Sequence, residues 1–354
     1  MRPFATTEGR DVQPLDTRII DIIDKGLEGN GLDRDEILAL YSLEPASREA
    51  AILRWAGREL AMKAFDGKAE IHAQIGLNSA PCGMNCKFCS FAVCNGVREG
   101  RYELPKEDVI EYAKAYEEDG ANLILMLTTA SYKFDKLVEM VAAVREVISP
   151  ELPLLVNTGD MTLEKFVALR EAGANGAYHA VRMREGEDTG IPVERRLQTI
   201  ANIHEAGMHL STCVEPVGPE HTPEELTEAT LRCMDTNPKT AGVGKRINVP
   251  GTLVYDRGML TDMQSANYVA VYALANGLDM PLNCSANSSF IASSGANLAW
   301  AEVGTNPRDV QERTEKGGRG SSIEHCRKIF QAGGWELLEG PSRGWEVPKA
   351  KGSK

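Results

Sequence analysis

The run EAGANGAYHAVR (171–182) holds one complete joint between a helix and a strand. Gly173 ends the helix, because the residue just past a helix C-terminus takes a left-handed conformation that costs glycine nothing. The apolar stretch after it reads as a buried strand. Similar spellings, a small or acidic residue or Asn followed by Gly, occur at Gly120 in EEDGAN, Gly207 in EAGM and Gly277 in ANGLD. With Gly242 added, the steps from Gly173 are 34, 35 and 35 residues, the length of one strand-plus-helix unit. Strands then fall near 70–77, 122–127, 153–157, 175–181, 209–214, 243–249, 280–283 and 297–300. Eight such units over ~230 residues suit a (β/α)8 barrel of about 250 residues. The fold expected is α/β, a TIM-type barrel. An open doubly wound sheet stays as the alternative, since the last two strands are short; no Gly-x-Gly-x-x-Gly follows the first strand to favour it.

Outward from the barrel (67–304), residues 1–66 read as a helical lead-in and 305–354 as a closing segment. Leu15, Ile19, Ile20, Ile22, Ile23 and Leu27 mark one apolar helix face. Ser47 can cap a helix carrying Ile52, Leu53, Trp55 and Leu60. In the closing segment, TNPRD precedes a helix starting near Ser322 with Ile323, Cys326, Ile329 and Phe330 on one side. This segment is expected to close the barrel rim, and 348–354 to be a solvated end.

Lys and Arg number 39 against 51 Asp and Glu, a formal charge of −12. That argues against a dedicated nucleic-acid or anionic-membrane binder. No apolar run approaches the ~20 residues that span a bilayer, and the opening MRPFATTEGRDV has no signal-peptide stretch. A cytoplasmic location is expected. Eight cysteines are too few for a disulfide scaffold, so free thiols are expected.

Four of those cysteines fall within thirteen positions. Ala80-Pro81-Cys82-Gly83-Met84-Asn85-Cys86-Lys87-Phe88-Cys89 spells C-x3-C-x2-C, with an aromatic before the last cysteine. It follows the first strand, on the face where barrels place active sites. Three thiolates can bind three irons of a [4Fe–4S] cluster and leave the fourth open to another ligand. A closed zinc site on Cys82, Cys86, Cys89 and Cys94 is the alternative. It needs no barrel mouth.

This motif, in this position, resembles the radical SAM superfamily. From roughly residue 50 to 335 the order of features resembles its biotin synthase-like branch, which includes methylornithine synthase and hydrogenase cofactor maturases. Further echoes are Leu125-Met126, EAGANGAYHAVR, Arg196-Leu197-x-Thr199, VEPVGPEHT (214–222) and NVPGT (248–252). The resemblance implies that Cys82, Cys86 and Cys89 hold the cluster and that S-adenosyl-L-methionine chelates its open iron. The reduced cluster then cleaves that molecule to a 5′-deoxyadenosyl radical, which removes a substrate hydrogen. It also implies a flavodoxin or ferredoxin-type electron donor, for which Lys87, Arg98 and Arg101 form a candidate basic patch. Phe88, Thr128, Thr129, Ser131, Asn157, His179 and Glu215 are the candidate cofactor-binding residues.

The departures narrow the function. Where biotin synthase carries the cysteines of a sulfur-donating second cluster, this chain has Leu125, Val156 or Asn157, and Ser211. Cys213 and Cys284 alone can approach the lumen, from strands five and seven. The Gly-Gly-Glu stretch that holds the methionyl amine in many members is replaced by Thr128-Thr129-Ala130-Ser131. A carboxylate of strand four is replaced by Arg182, whose planar fork fits an anion. Tyr178, Arg182 and Arg184 are therefore the candidate substrate-binding residues, with Arg182 paired to Glu215 or Glu185 as the structural alternative. Arg246 faces either lumen or helix layer. The function expected is radical chemistry on a small anionic molecule in cofactor or modified amino-acid biosynthesis, without sulfur insertion. A sulfur-inserting enzyme and a zinc-stabilised scaffold are the rivals.

Overall fold

The computed structural model describes residues 14–347. The opening stretch read for a signal peptide and the end at 348–354 lie outside them. Eight strands form the barrel: β1 (Lys68–Gly76), β2 (Leu123–Leu127), β3 (Leu154–Asn157), β4 (Gly176–Tyr178), β5 (His209–Ser211), β6 (Thr240–Lys245), β7 (Leu282–Cys284) and β8 (Leu298–Gly304). Each pairs in parallel with the next, and β8 returns to β1, so the sheet closes. The open sheet is thereby excluded.

Two strand readings shift. The fifth strand stops at Ser211 and resumes as Val214–Val217 against β6. The sixth begins at Thr240 and ends at Lys245, leaving Arg246 just beyond it. Gly242, which completed the 35-residue spacing, is inside β6 at φ 139°. A Cβ there would stand 2.6–2.8 Å from Asn283 and the Cys284 backbone. Close approach of β7, not a helix end, requires this glycine.

An outer ring covers the sheet: α4 (Lys106–Glu118), α5 (Phe134–Arg145), α6 (Leu163–Glu171), α7 (Val193–Glu205), α8 (Pro223–Asp235), α9 (Asp262–Asn276), short α10 (Ser289–Ala292) and α11 (Ile323–Ala332). The lead-in is α1 (Thr17–Glu28), α2 (Arg34–Tyr41) and α3 (Arg48–Ala64), packed on α8 and α9. Ile19, Ile22 and Ile23 supply the buried stripe of α1, and Ser47 accepts the Ala50 N–H as the cap of α3. α3 meets α9 so closely that a Cβ on Gly57 would lie 2.7 Å from Ala270. Trp55 of this helix is 52% exposed, because its buried face is taken by Leu53, Ala56, Gly57 and Leu60.

Strand alternation sorts the cores. Ile124, Met126, Leu154 and Val156 point outward to the helix layer, while Leu123, Leu125 and Leu155 fill the lumen. Burial of each such leucine contributes roughly 1.5–3 kcal/mol. Val156 thus leaves the lumen to Asn157.

The closing segment does more than close a rim. Its first part crosses the mouth, where the Ser90 N–H donates to Pro307 O at 2.8 Å. After α11 the chain returns along the start of β1 and runs beneath the strands. Asn122 Nδ2 donates to Leu338 O (2.9 Å), Asn175 Nδ2 to Trp345 O (3.1 Å), and His209 Nε2 to Glu346 O (2.8 Å). Trp345, 2% exposed, packs with the lumenal leucines and plugs the floor.

Candidate active site

With the floor plugged, the lumen opens at the strands' carboxyl ends, as a cavity of about 220 Å³. Cys82, Cys86, Cys89 and Phe88 all line it. Their loop is fastened on several sides. Cys82 N–H donates to Phe91 O (2.8 Å) and Val93 N–H to Cys82 O (3.1 Å). Asn95 Nδ2 donates to the carbonyls of Cys86 (3.2 Å) and Cys89 (2.8 Å), while its Oδ1 accepts the Leu253 N–H at 3.0 Å. One amide therefore ties the last two motif cysteines to the loop after β6. Across the mouth, the Gly190 N–H donates to Met84 O at 2.9 Å.

Burial pushes the thiol of Cys86 up to about 11, against the nearby Arg182 and Arg196, and that of Cys89 up to about 12. Soft, desolvated sulfurs at the end of a cavity suit iron, whose charge would ionise them. The donor set thus fits a cluster. A closed four-cysteine site would need Cys94 beside the other three, and Cys94 does not join them in the cavity lining. Cys94, expected to be buried or beside the ligands, is exposed on a 3-10 turn, its sulfur near Asn95.

Thr128, Thr129, Asn157, Tyr178, His179, Arg182 and Glu215 also line the cavity. Asn78, 6% exposed, clamps Thr129 by accepting its N–H (2.9 Å) and donating to its hydroxyl (2.8 Å). Ser131 and Arg184 do not join the cavity lining. Ser131 is exposed within the turn closed by Tyr132 N–H and Thr129 O, its hydroxyl 3.2 Å from that of Thr129. Arg184 sits at φ 51°, which turns it away to Glu225 (2.6 Å) and Glu220 O (3.1 Å).

Tyr178, Arg182 and Glu215 form one knot: Arg182 Nη1 and the Tyr178 hydroxyl both donate to Glu215 Oε1. Burial alone would raise the Glu215 carboxyl, but Arg182, Arg308 and the Tyr178 hydroxyl hold it below the ordinary carboxylate value. His179 Nε2 meets Asp160 Oδ1 at 3.0 Å, and the same carboxylate takes Arg196 (3.3 Å) and Thr199 (3.1 Å). Burial drives His179 below 6.5, against the Asp160 bond. The ring is neutral and donates to an ionised Asp160.

The reading of the sequence missed Asp160, Asn95 and Arg308, and left Arg246 undecided. Arg308 comes from TNPRD into the lumen, paired with Glu302 of β8. Arg246 lines the cavity and is held by Glu220. Of the ionisable lining groups other than cysteine and histidine, five are cationic (Arg182, Arg196, Lys245, Arg246, Arg308) and only Glu215 is anionic.

A closed parallel barrel with a thiol-lined mouth is the architecture of an S-adenosylmethionine-dependent radical enzyme, and residues 80–233 match the Radical SAM superfamily. The chain matches that superfamily over these residues and is similar along most of its length to members of the biotin synthase-like branch. It is 26% identical over 258 residues to biotin synthase of Desulforudis audaxviator (strain MP104C), covering 70% of this chain and 77% of that one. Against biotin synthase of Rippkaea orientalis the identity is 23% over 280 residues, with 75% of each chain covered. Among solved structures, methylornithine synthase (PylB) superposes with a TM-score of 0.73 at 19% identity, over 91% of this chain and 97% of that one. HydG, a maturase of the [FeFe]-hydrogenase, gives 0.73 at 15% identity, over 90% and 75%. The protein is therefore a radical SAM enzyme, with a [4Fe–4S] cluster and S-adenosyl-L-methionine as cofactors. No helix among the described residues is long and apolar enough to cross a membrane.

Proposed function

We infer that Cys82, Cys86 and Cys89 are the cluster ligands, and that the enzyme transforms a small anionic molecule without inserting sulfur, in cofactor or modified amino-acid biosynthesis. The observation that carries this is the lining itself, with three thiols at the mouth of a cavity bearing five cations and one carboxylate. When bound and reduced, the cofactors supply a carbon-centred radical that removes a substrate hydrogen. The chain's own part is to orient and to exclude water. Thr128 and Asn157 end adjacent strands and offer oxygen acceptors to an ammonium group. His179, held neutral, offers its ring to the adenosine. Arg182 and Arg308 face the substrate end. Each is already paired, to Glu215 and Glu302, so an incoming carboxylate or phosphate joins an existing network and leaves no buried charge alone when it departs. Cysteine does not stand at Leu125, Asn157 or Ser211, which argues against a sulfur-donating cluster at those places. Docking of a flavodoxin or ferredoxin-type donor rests on exposed Arg101 and on Lys87, which is paired with Asp188, since Arg98 is folded onto the Phe91 ring and the Asp309 and Gln311 carbonyls.

The second reading, sulfur insertion, draws on the names of the biotin synthase relatives and on two lumenal thiols, Cys213 and Cys284. Anaerobic turnover with dithionite tests the first reading through formation of 5′-deoxyadenosine, followed by a screen of carboxylate-bearing metabolites for deuterium passage. Mössbauer spectroscopy separates the two: a [2Fe–2S] component that disappears in a Cys213→Ser, Cys284→Ser double variant would establish sulfur insertion.

A further inference from the structure

The sulfurs of Cys213 and Cys284 lie 3.1 Å apart inside the lumen, and both residues line the cavity that holds Cys82, Cys86 and Cys89. Cys213 occupies the link where the fifth strand breaks off, and its thiol donates to Gly242 O at 3.1 Å. Cys284 ends β7 and accepts from the Ser285 hydroxyl at 3.5 Å. Two glycines of β6 make room for the pair. A Cβ on Gly244 would stand 3.3 Å from the Cys213 sulfur, and one on Gly242 would meet the Cys284 backbone. Leu282 and Leu298 pack against both cysteines, which are 4% and 6% exposed. Burial holds the Cys213 thiol well above its ordinary value, so it keeps its hydrogen.

An S–H bond is weaker than an aliphatic C–H bond, and the neighbouring lumen is leucine, tryptophan and a tyrosine whose hydroxyl hydrogen is directed to Glu215. Among these, the thiol is the group with a weakly held hydrogen atom that is not engaged with a carboxylate. We propose that Cys213 delivers a hydrogen atom to a carbon-centred radical on the molecule occupying the cavity, and that Cys284 is the partner holding the resulting sulfur radical. The S–H bond of Cys213 breaks homolytically, a C–H bond forms, and the unpaired electron passes to sulfur. As Cys284 releases its proton to solvent through the mouth, the two sulfurs share that electron in a three-electron bond. One electron from the low-potential reductant the enzyme requires, with two protons, then restores both thiols. This deepens the proposed function and rests on its radical chemistry.

The test uses S-adenosyl-L-methionine alone as the source of radical. Reconstituted holoenzyme is treated with it and dithionite in D2O buffer without added thiol, and the 5′-deoxyadenosine formed is analysed by mass spectrometry. Thiol hydrogens exchange with solvent, so singly deuterated product is expected from the wild type. The label should be lost in Cys213→Ala and Cys213→Ser and diminished in Cys284→Ser. Unlabelled product from the wild type, or undiminished label in both Cys213 variants, would overturn the proposal. Absence of 5′-deoxyadenosine altogether would instead overturn the radical reading beneath it. A second measurement is independent of turnover: exchange of the holoenzyme with oxidised dithiothreitol is expected to yield a Cys213–Cys284 linked peptide, and failure to form it would refute the contact.

Discussion

From β8 through β1 to β2 the barrel wall is continuous, with seven residue pairs on one side of β1 and five on the other. On the opposite side β5 meets β6, and β7 meets β8, through a single pair each. In β2 and β3 strict alternation sends leucine inward, and polar groups wait for the strand ends at Thr128 and Asn157, while β1 and β8 use the same alternation to turn Glu70, His72, Gln74 and Glu302 inward, where they bond one another. In the broken region the backbone leaves the ladder early: Cys213, Arg246 and Ser285 reach the cavity from links, and Glu215 from the displaced segment Val214–Val217. A ladder offers inward positions only at every second residue. Giving it up allows chemically demanding side chains to converge, at a cost in hydrogen bonds that other contacts must offset.

The largest effect expected is at the mouth, outside both halves. Cys82→Ala, Cys86→Ala or Cys89→Ala should each abolish the four-iron cluster, measured as iron and sulfide per chain, whereas Cys94→Ala should retain it. Loss on Cys94→Ala alone would move the site to a different ligand set. Next comes a direct contrast between the halves. Leu155→Ala, in the close-packed lumen, should lower unfolding free energy by about 2–5 kcal/mol. Cys213→Ser, in the broken half, should cost less than about 1.5 kcal/mol, because the hydroxyl keeps the bond to Gly242 O. Equal losses in chemical denaturation would mean that the broken half is as structural as the other.

A third test addresses charge in the broken half. Arg182→Lys keeps the cation but loses the fork that reaches Glu215 and lies over the Tyr178 ring. Turnover should fall roughly ten- to hundredfold, the equivalent of about 1.5–3 kcal/mol for a hydrogen bond to a charged group, with S-adenosyl-L-methionine binding retained. Wild-type turnover in Arg182→Lys, with unfolding in Arg182→Ala, would make the residue structural. A smaller effect is expected of Asn95→Ala, which should leave the barrel folded but speed cluster loss on exposure to chelator, since two motif carbonyls lose their shared donor. Unchanged loss kinetics would show that the backbone bonds of the loop suffice.

The same division governs what could be seen in the sequence. Local signals are periodic and strong in the regular half, so β1, β2 and β3 fall close to where alternation and terminal glycines place them. The broken half reads less well. The fifth strand looks continuous through Cys213 because no glycine or proline interrupts HLSTCV (209–214), and nothing local announces that β6 will pair with a displaced Val214–Val217. Arg184 looked inward by its place after a strand, but its positive φ reverses it. The closing segment hides most. Arg308 and Trp345 reach the lumen from opposite ends: the distant bond from Ser90 N–H to Pro307 O carries the segment of Arg308 over the mouth, and Trp345 packs on leucines from β2 and β3. By contrast the cysteine loop is visible at once in the sequence, because its three cysteines are local in the chain.

The smallest effect expected is a pH dependence at the seam between the halves, where His179 follows β4. Its neighbours are Asp160, which bonds the ring, and the guanidiniums of Arg196 and Arg182, which oppose its protonation. Burial places the folded-state pKa below the ordinary 6.5, while the unfolded ring titrates near 6.5. Above that value neither state binds a proton and the full stability is present. As pH falls below it, the unfolded chain binds a proton that the folded chain refuses, so stability declines until the folded pKa is reached. For one proton the slope approaches at most about 1.4 kcal/mol per pH unit. His221 is also depressed by burial and adds its own slope on the acid side, so the informative quantity is the difference between wild type and His179→Gln. That variant keeps a donor for Asp160 but has no titrating ring, and its stability measured by urea unfolding should fall less steeply below pH 6.5 than that of the wild type. Parallel profiles would mean that His179 protonates as readily in the barrel as in water. The ring would then be open to solvent, and the wall between the regular and broken halves would be wet where the structure has it closed.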